Sequence, residues 1–133
     1  MHTLVALITV LALLLYMWMG LRVASARARC GVVAPATTGD PEFERHFRVQ
    51  ANTLENLVVF LPALWLFALF ANNDLIAAGL GLVWLVGRVL YMLGYAKAAA
   101  SRGPGFGIAA IGQVALLLGA FGFVVWRLVQ QGF

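Results

Sequence analysis

Two groups of polar side chains recur at helical spacing inside segments that are otherwise apolar. The first group is Arg48, Asn52 and Glu55, and the second is Arg88, Tyr91 and Tyr95. Residues three, four and seven positions apart share one face of a helix, so each group predicts a polar stripe. Guanidinium, amide and phenol groups donate hydrogen bonds and a carboxylate accepts them. We therefore expect a ligand that carries both acidic groups and an amine.

Three further donors, Arg27, Gln50 and Arg102, fall near the same predicted end of the helices. So many donors favour a binding site for an anion. A plainer interpretation is a buried ion pair between Glu55 and Arg88 that joins two helices, with the tyrosines as anchors at the membrane interface. The sequence leaves open whether Glu55 pairs with Arg88 or with the ligand.

Metal, disulfide and nucleic-acid chemistry are disfavoured. The chain has one cysteine, Cys30, and two histidines, His2 and His46, which is too few for an internal disulfide or a Cys-rich zinc site. The net charge of +4 arises from basic residues beside apolar segments, where membrane topology explains them, so we expect no nucleic-acid partner. His46 is expected to lie in a charged turn on the surface.

The composition determines the elements that must position these side chains. Of 133 residues, 63% are hydrophobic and 11% are charged, whereas soluble domains carry about 25% charged residues. The sequence predicts an all-α integral membrane four-helix bundle in one domain, residues 1–133, with spans at about 3–22, 48–71, 74–96 and 106–127. The uninterrupted apolar part of the second span, 57–71, is short, so either its helix begins earlier or the span is short.

Basic residues predict the orientation in the membrane. The loops that join spans one to two and three to four hold Arg22, Arg27, Arg29, Arg45, Arg48, Lys97 and Arg102, whereas the opposite side holds Arg127. Because cytoplasmic loops carry the excess of Lys and Arg, both termini are expected away from the cytoplasm and both polar stripes in the cytoplasmic half of the membrane.

Small and aromatic residues predict how the spans pack. Glycines in spans three and four favour close contact between helices, and they are Gly79, Gly81, Gly87, Gly112, Gly119 and Gly122. Trp65 and Trp84 fall deep within their spans and are expected to pack between helices.

The polar stripes also carry a resemblance to a known family. Residues 37–55, TTGDPEFERHFRVQANTLE, are similar to a signature of the MAPEG family, the membrane-associated proteins in eicosanoid and glutathione metabolism. Residues 87–95, GRVLYMLGY, followed by Arg102, resemble the second block of the branch that holds leukotriene C synthase and the smaller microsomal glutathione transferases. The Arg-x-Gln-x-Asn-x-x-Glu spacing of residues 48–55 is the most specific part of the match.

The resemblance implies a homotrimer that binds glutathione between neighbouring subunits on the cytoplasmic side, as a co-substrate and without a metal. The positions that match the family's glutathione-binding residues are Arg27, Arg48, Gln50, Asn52, Glu55, Arg88, Tyr91 and Tyr95. Arg102 matches the arginine credited with stabilising the glutathione thiolate, which gives it the catalytic role.

The implied function is a membrane-bound glutathione transferase. It would conjugate the thiolate to lipophilic electrophiles from the bilayer, with reduction of lipid hydroperoxides as a further activity. The alternative within the family is a non-catalytic lipid-binding or scaffold protein. Small four-span drug exporters match in length, but they resemble one another in a carboxylate in the first helix, and residues 3–21 contain none.

Overall fold

The computed structural model describes residues 1–132 and is all-α in that range. Its four long helices are α1 (Thr3–Cys30), α2 (Pro41–Ala71), α3 (Asp74–Lys97) and α4 (Gly103–Gln131), with a short 3-10 helix, Ala99–Arg102, before α4. By length and composition each of the four is able to cross a membrane. The prediction of an all-α four-helix chain is confirmed.

Local capping groups determine where the helices begin and end. Gly31 has a φ of 66° and ends α1 in the left-handed region, which glycine adopts without steric cost. Asp40 caps α2 by accepting hydrogen bonds from the backbone N–H groups of Glu42 and Phe43 at 2.9 and 3.2 Å. The nearby Cys30 thiol, and then the hydrogen bonds from the two amides, favour the ionised carboxylate and lower the pKa of Asp40. The Asn73 side chain caps α3 in the same way, accepting from the N–H of Ile76 at 3.0 Å.

The early start of α2 resolves the question of its short apolar stretch. Because α2 begins at Pro41, well before the predicted span, residues 48–55 lie on the helix itself. The helix therefore carries the first polar stripe as a continuous face that runs into the apolar segment. The other helices also extend beyond the predicted spans, and α1 continues to Cys30.

Aromatic side chains fill the centre of the bundle. The rings of Phe60 on α2 and Trp84 on α3 stack with centroids 3.9 Å apart, and both side chains are fully buried. The indole N–H of Trp84 donates to Gln113 of α4 at 2.9 Å, and that of Trp65 donates to Thr9 of α1 at 3.0 Å. Both indoles therefore pack between helices as predicted, with their polar atoms satisfied inside an apolar interior.

Helices α3 and α4 approach each other most closely at glycines. A Cβ atom added to Gly87 would lie 2.2 Å from the backbone nitrogen of Ala109, and one added to Gly105 would lie 2.1 Å from that of Tyr91. Since both contacts are with backbone atoms, no side-chain rotation relieves them. The prediction of close glycine contacts is wrong for Gly79 and Gly122 within this chain, because nothing lies within 4 Å of a Cβ atom at either position.

Candidate functional site

One cavity opens at the end of the bundle where α3 ends and α4 begins. Its volume is about 430 Å³, and it collects side chains from α2, α3, the 3-10 helix and the first turn of α4. The lining residues are Arg48, Asn52, Tyr91, Tyr95, Arg102, Gly103 and Phe106. Five of the nine predicted site residues therefore line one cavity, although they come from three separate segments of the chain.

The Arg88 guanidinium lies behind this cavity and is only 1% exposed. Its Nη1 donates to the Oδ1 of Asn52 at 2.7 Å, while its Nε has no hydrogen-bond partner within residues 1–132. The faces of Tyr91 and Phe106 lie 5.0 and 5.7 Å from the guanidinium carbon. Arg88 therefore orients the Asn52 amide through a charge-assisted hydrogen bond within a largely aromatic environment.

Glu55 does not pair with Arg88, so the simple interpretation of a buried ion pair between them is wrong for the single chain. Its carboxylate lies 3.6 Å from the Nη1 of Arg48, and both side chains are more than half exposed. Residues 48 and 55 are seven positions apart on the same helix, so this contact runs along α2 rather than across to α3. A pair this exposed and this long contributes little to stability.

Two predicted site residues lie away from the cavity. Arg27 donates to the backbone oxygen of Ala36 at 2.8 Å, and its guanidinium stacks 4.6 Å from the ring centre of Phe43. Gln50 lies against α1, where its Nε2 would be 2.9 Å from a Cβ atom at Gly20. Within one chain these two side chains therefore do not join the other predicted residues.

Arg102 is exposed at the mouth of the cavity. Its Nη1 donates to the backbone oxygen of Ala99 at 3.3 Å, and its guanidinium lies 5.6 Å from the ring centre of Tyr95. The remaining donors of its guanidinium are free of hydrogen bonds to residues 1–132. Arg102 is therefore able to meet an anionic group that enters the cavity.

Sequence reasoning missed Gly103 and Phe106 as wall residues. Gly103 follows Arg102 directly and Phe106 lies three residues further on, so the signal available for them was their position after a predicted site residue. The prediction that His46 is on the surface is wrong, because its side chain is only 8% exposed where α2 packs against α1 and α3. A charged sequence neighbourhood does not reveal that His46 lies on α2 with its side chain facing inward.

The donor set of the cavity suits an anionic ligand rather than a metal ion. Among the residues that line it the structure places two guanidinium groups, two phenols and one carboxamide, and no carboxylate. Elsewhere, Cys30, Asp40 and Glu42 bring their ligand atoms within 4.8 Å of one another. Glu42 is already paired with Arg29 at 2.6 Å and accepts from the Cys30 thiol at 3.6 Å, so hydrogen bonding within the loop accounts for this group.

Comparison with known proteins finds similarity to one family over nearly the whole chain. The model of the MAPEG family matches residues 5–122. An uncharacterized protein of Synechocystis sp. is 50% identical over 125 residues, which cover 94% of this chain and 90% of that protein. Human microsomal glutathione S-transferase 2 is 41% identical over 121 residues, covering 90% of this chain and 81% of that enzyme.

A second named enzyme is similar over a shorter length. Bovine leukotriene C4 synthase is 43% identical over 99 residues, which cover 74% of this chain and 65% of that enzyme. The resemblance drawn from residues 37–55 and 87–95 is therefore confirmed by a family match that extends well beyond both blocks. The chain belongs to the MAPEG family.

Proposed function

We propose that this protein is a membrane-bound glutathione transferase that conjugates the glutathione thiolate to lipophilic electrophiles. The convergence of Arg48, Asn52, Tyr91, Tyr95 and Arg102 on one cavity of about 430 Å³ carries the proposal. That volume lies within the range of roughly 300 to 1,000 Å³ typical of small-molecule sites. The similarity to microsomal glutathione S-transferase 2 and leukotriene C4 synthase, which are glutathione-using transferases, supports it.

The cavity and the Glu55 carboxylate, which lies 3.6 Å from the lining residue Arg48, together offer a partner for each polar group of glutathione. Arg48 is suited to a carboxylate, because a guanidinium binds carboxylates through two parallel hydrogen bonds. Glu55 is suited to the ammonium group. Its present contact with Arg48 is long and exposed, so a ligand that supplies both charges is able to replace it at little cost. Asn52, held by Arg88, and the two tyrosine hydroxyls supply neutral hydrogen bonds.

Arg102 is the residue proposed to activate the thiol. A free thiol has a pKa of about 8.5, so most of it is protonated at neutral pH. A guanidinium beside the sulfur favours the thiolate and lowers that pKa, and each unit corresponds to about 1.4 kcal/mol. The proton leaves to water. The thiolate then attacks the electrophilic carbon, a C–S bond forms, and the bond from that carbon to the leaving group breaks with its electron pair.

The positions of Arg27 and Gln50 are consistent with a site shared between subunits. In the proposed homotrimer these two side chains, which do not reach the cavity of their own chain, would face the cavity of a neighbouring subunit. The proposed orientation places the termini away from the cytoplasm and the cavity on the cytoplasmic side, where glutathione is abundant. The electrophile would then arrive from the bilayer between the helices.

Glutathione binding to the purified detergent-solubilised protein, measured by calorimetry, tests the proposal. We expect saturable binding that Glu55→Gln weakens by about tenfold or more, because the ammonium loses a charged partner worth about 1.5 to 3 kcal/mol. Glu44→Gln is the matched control, since Glu44 is a carboxylate on the same helix that forms no ion pair with a residue of the cavity, whereas Glu55 contacts Arg48. Conjugation is then measured with a chlorodinitrobenzene electrophile.

Three outcomes would count against the proposal. Absence of glutathione binding to the folded protein would favour the lipid-binding or scaffold alternative. Equal weakening by Glu55→Gln and Glu44→Gln would remove the assigned site. Tight binding without any conjugation over a panel of electrophiles would leave a glutathione-binding protein that is not a transferase.

A further inference from the structure

A second cavity lies at the same end of the bundle, between α1, α2 and α3. Its volume is about 450 Å³, and it shares no lining residue with the first cavity. The lining residues are Arg22, Ser25, Arg29, Glu42, His46, Leu93, Ala96 and Lys97. The proposed transferase chemistry makes no use of any of them.

The charges around this cavity do not cancel. Arg29 and Glu42 form an ion pair at 2.6 Å, and Arg29 also donates to the Ser25 hydroxyl at 2.7 Å, so these groups satisfy one another. Arg22 and Lys97 line the same cavity and form no ion pair with any of residues 1–132. Two positive charges therefore face the cavity without a counter-ion from the described part of the chain.

Two polar side chains in the wall, Arg22 and His46, also have polar atoms without a hydrogen-bond partner in the described residues. The Nε of Arg22 is buried and makes no hydrogen bond within the described residues. His46, whose side chain is more than nine-tenths buried, lines the cavity, and its ring makes no hydrogen bond among residues 1–132. Buried donors are normally satisfied, because leaving one unpaired costs about 1 to 3 kcal/mol. An acceptor in the cavity would give the His46 ring a hydrogen-bond partner.

The position of the cavity suits an amphiphile. Leu93 and Ala96 form one wall, and the Leu93 side chain is exposed on the outer surface of the bundle. The guanidinium of Arg22 lies 5.9 Å from the ring centre of Trp18, which is also exposed on that surface. Tryptophan with a neighbouring arginine is typical of the membrane interface, where acyl chains meet headgroups. Basic pockets between helices at this level bind phosphate-bearing headgroups.

We infer that this cavity is a binding site for an anionic phosphate group, supplied by a phospholipid headgroup or by a water-soluble phosphate. Arg22 and Lys97 neutralise the phosphate, and the His46 ring donates a hydrogen bond to one of its oxygens. The site is separate from the proposed glutathione site and does not depend on transferase activity.

Lipid retention measured by native mass spectrometry tests the lipid source. The protein is equilibrated in detergent with dioleoyl phosphatidylglycerol or dioleoyl phosphatidylcholine, which differ in net charge but not in acyl chains. We expect preferential retention of phosphatidylglycerol, and about fivefold weaker retention in Arg22→Gln and in Lys97→Gln, since a basic residue near a membrane surface contributes about 1 kcal/mol. Arg22→Lys, which keeps the charge, should recover most of the retention.

Two controls test whether lipid retention depends on this cavity rather than on the net charge of the protein, and whether the cavity is independent of the first one. Arg127→Gln removes an exposed arginine at the opposite end of the bundle and should retain the lipid as the wild-type protein does. Glutathione binding should be unchanged in all four variants, which also shows that each of them is folded. Calorimetry with inorganic phosphate tests whether a water-soluble phosphate binds at the same site.

Two outcomes of these experiments would support the phosphate site and one would overturn it. Retention of phosphatidylglycerol that depends on Arg22 and Lys97 supports the site with a lipid ligand. Saturable binding of inorganic phosphate that depends on the same two residues, without lipid preference, supports it with a soluble ligand. If neither probe distinguishes these variants from Arg127→Gln, the inference is overturned.

Discussion

Replacement of Gly105 by alanine tests the tight contact that positions Tyr91 in the candidate site. The new Cβ atom would lie 2.1 Å from the backbone nitrogen of Tyr91 and 2.6 Å from its Cα. Ordinary van der Waals contact begins at 3.4 Å, so α3 and α4 must separate locally by about 1.3 Å. Because both partners are backbone, no rotamer change absorbs the overlap.

The expected loss of stability is about 1 to 3 kcal/mol, the usual cost of overpacking a well-packed interior. The higher helix propensity of alanine offsets at most about 1 kcal/mol of the steric cost. Tyr91 moves with the backbone of α3, and a displacement of about 1 Å in a binding constellation costs on the order of a hundredfold in rate. Gly105→Ala should therefore lose both stability and glutathione-dependent activity.

Gly107→Ala is the matched control, since Gly107 lies two residues further along α4 and nothing lies within 4 Å of a Cβ atom there. We expect this variant to be as stable as the wild type or more stable by up to about 1 kcal/mol. Denaturation of both proteins in the same detergent, followed by intrinsic fluorescence, gives the comparison. Equal or greater stability of Gly105→Ala would refute the close approach of α3 and α4 at Tyr91.

Three further substitutions have expected outcomes. Trp84→Phe removes the N–H that donates to Gln113 at 2.9 Å and should lower the free energy of unfolding by about 1 kcal/mol, measured by denaturation in detergent; no change would contradict the importance of this hydrogen bond. Arg88→Met replaces a buried cation by an apolar side chain of similar length and should leave stability unchanged or higher, while glutathione affinity measured by calorimetry falls about tenfold because Asn52 loses its donor. A marked loss of stability would instead assign Arg88 a structural role. Arg102→Ala should leave glutathione bound but raise the pKa of its thiol, so that the rate of conjugation rises only at higher pH; an unchanged pH profile and unchanged thiolate absorbance would remove the proposed catalytic role.

The helices and the polar stripes were predictable because they depend on local sequence. Apolar segments of this length form helices in a membrane, where backbone groups must be satisfied within the segment. The stripe of Arg48, Asn52 and Glu55 follows from helical spacing alone. The start of α2 at Pro41 was within reach of the same reasoning, since Asp40 followed by proline is a typical helix beginning.

Contacts between helices were harder to predict. The sequence left open whether Glu55 pairs with Arg88 or with the ligand, and it did not predict Asn52 as the partner of Arg88. Asn52 and Glu55 lie three positions apart, so on α2 they differ by about 4.5 Å along the axis and by only about 60° around it. A small rotation or translation of one helix against the other selects between them, and the packed structure selects Asn52.

The sequence by itself determined the membrane class, the four helices, the residues of the polar stripes and, through two short blocks, the family. The tertiary structure decided that Arg88 donates a hydrogen bond to Asn52, that Glu55 stays exposed beside Arg48, and that His46 is buried at a second cavity. Composition and periodicity act within one segment, whereas these contacts depend on how segments rotate and shift against one another. That arrangement is set by the packing of the whole bundle, where glycines such as Gly105 let the backbones meet.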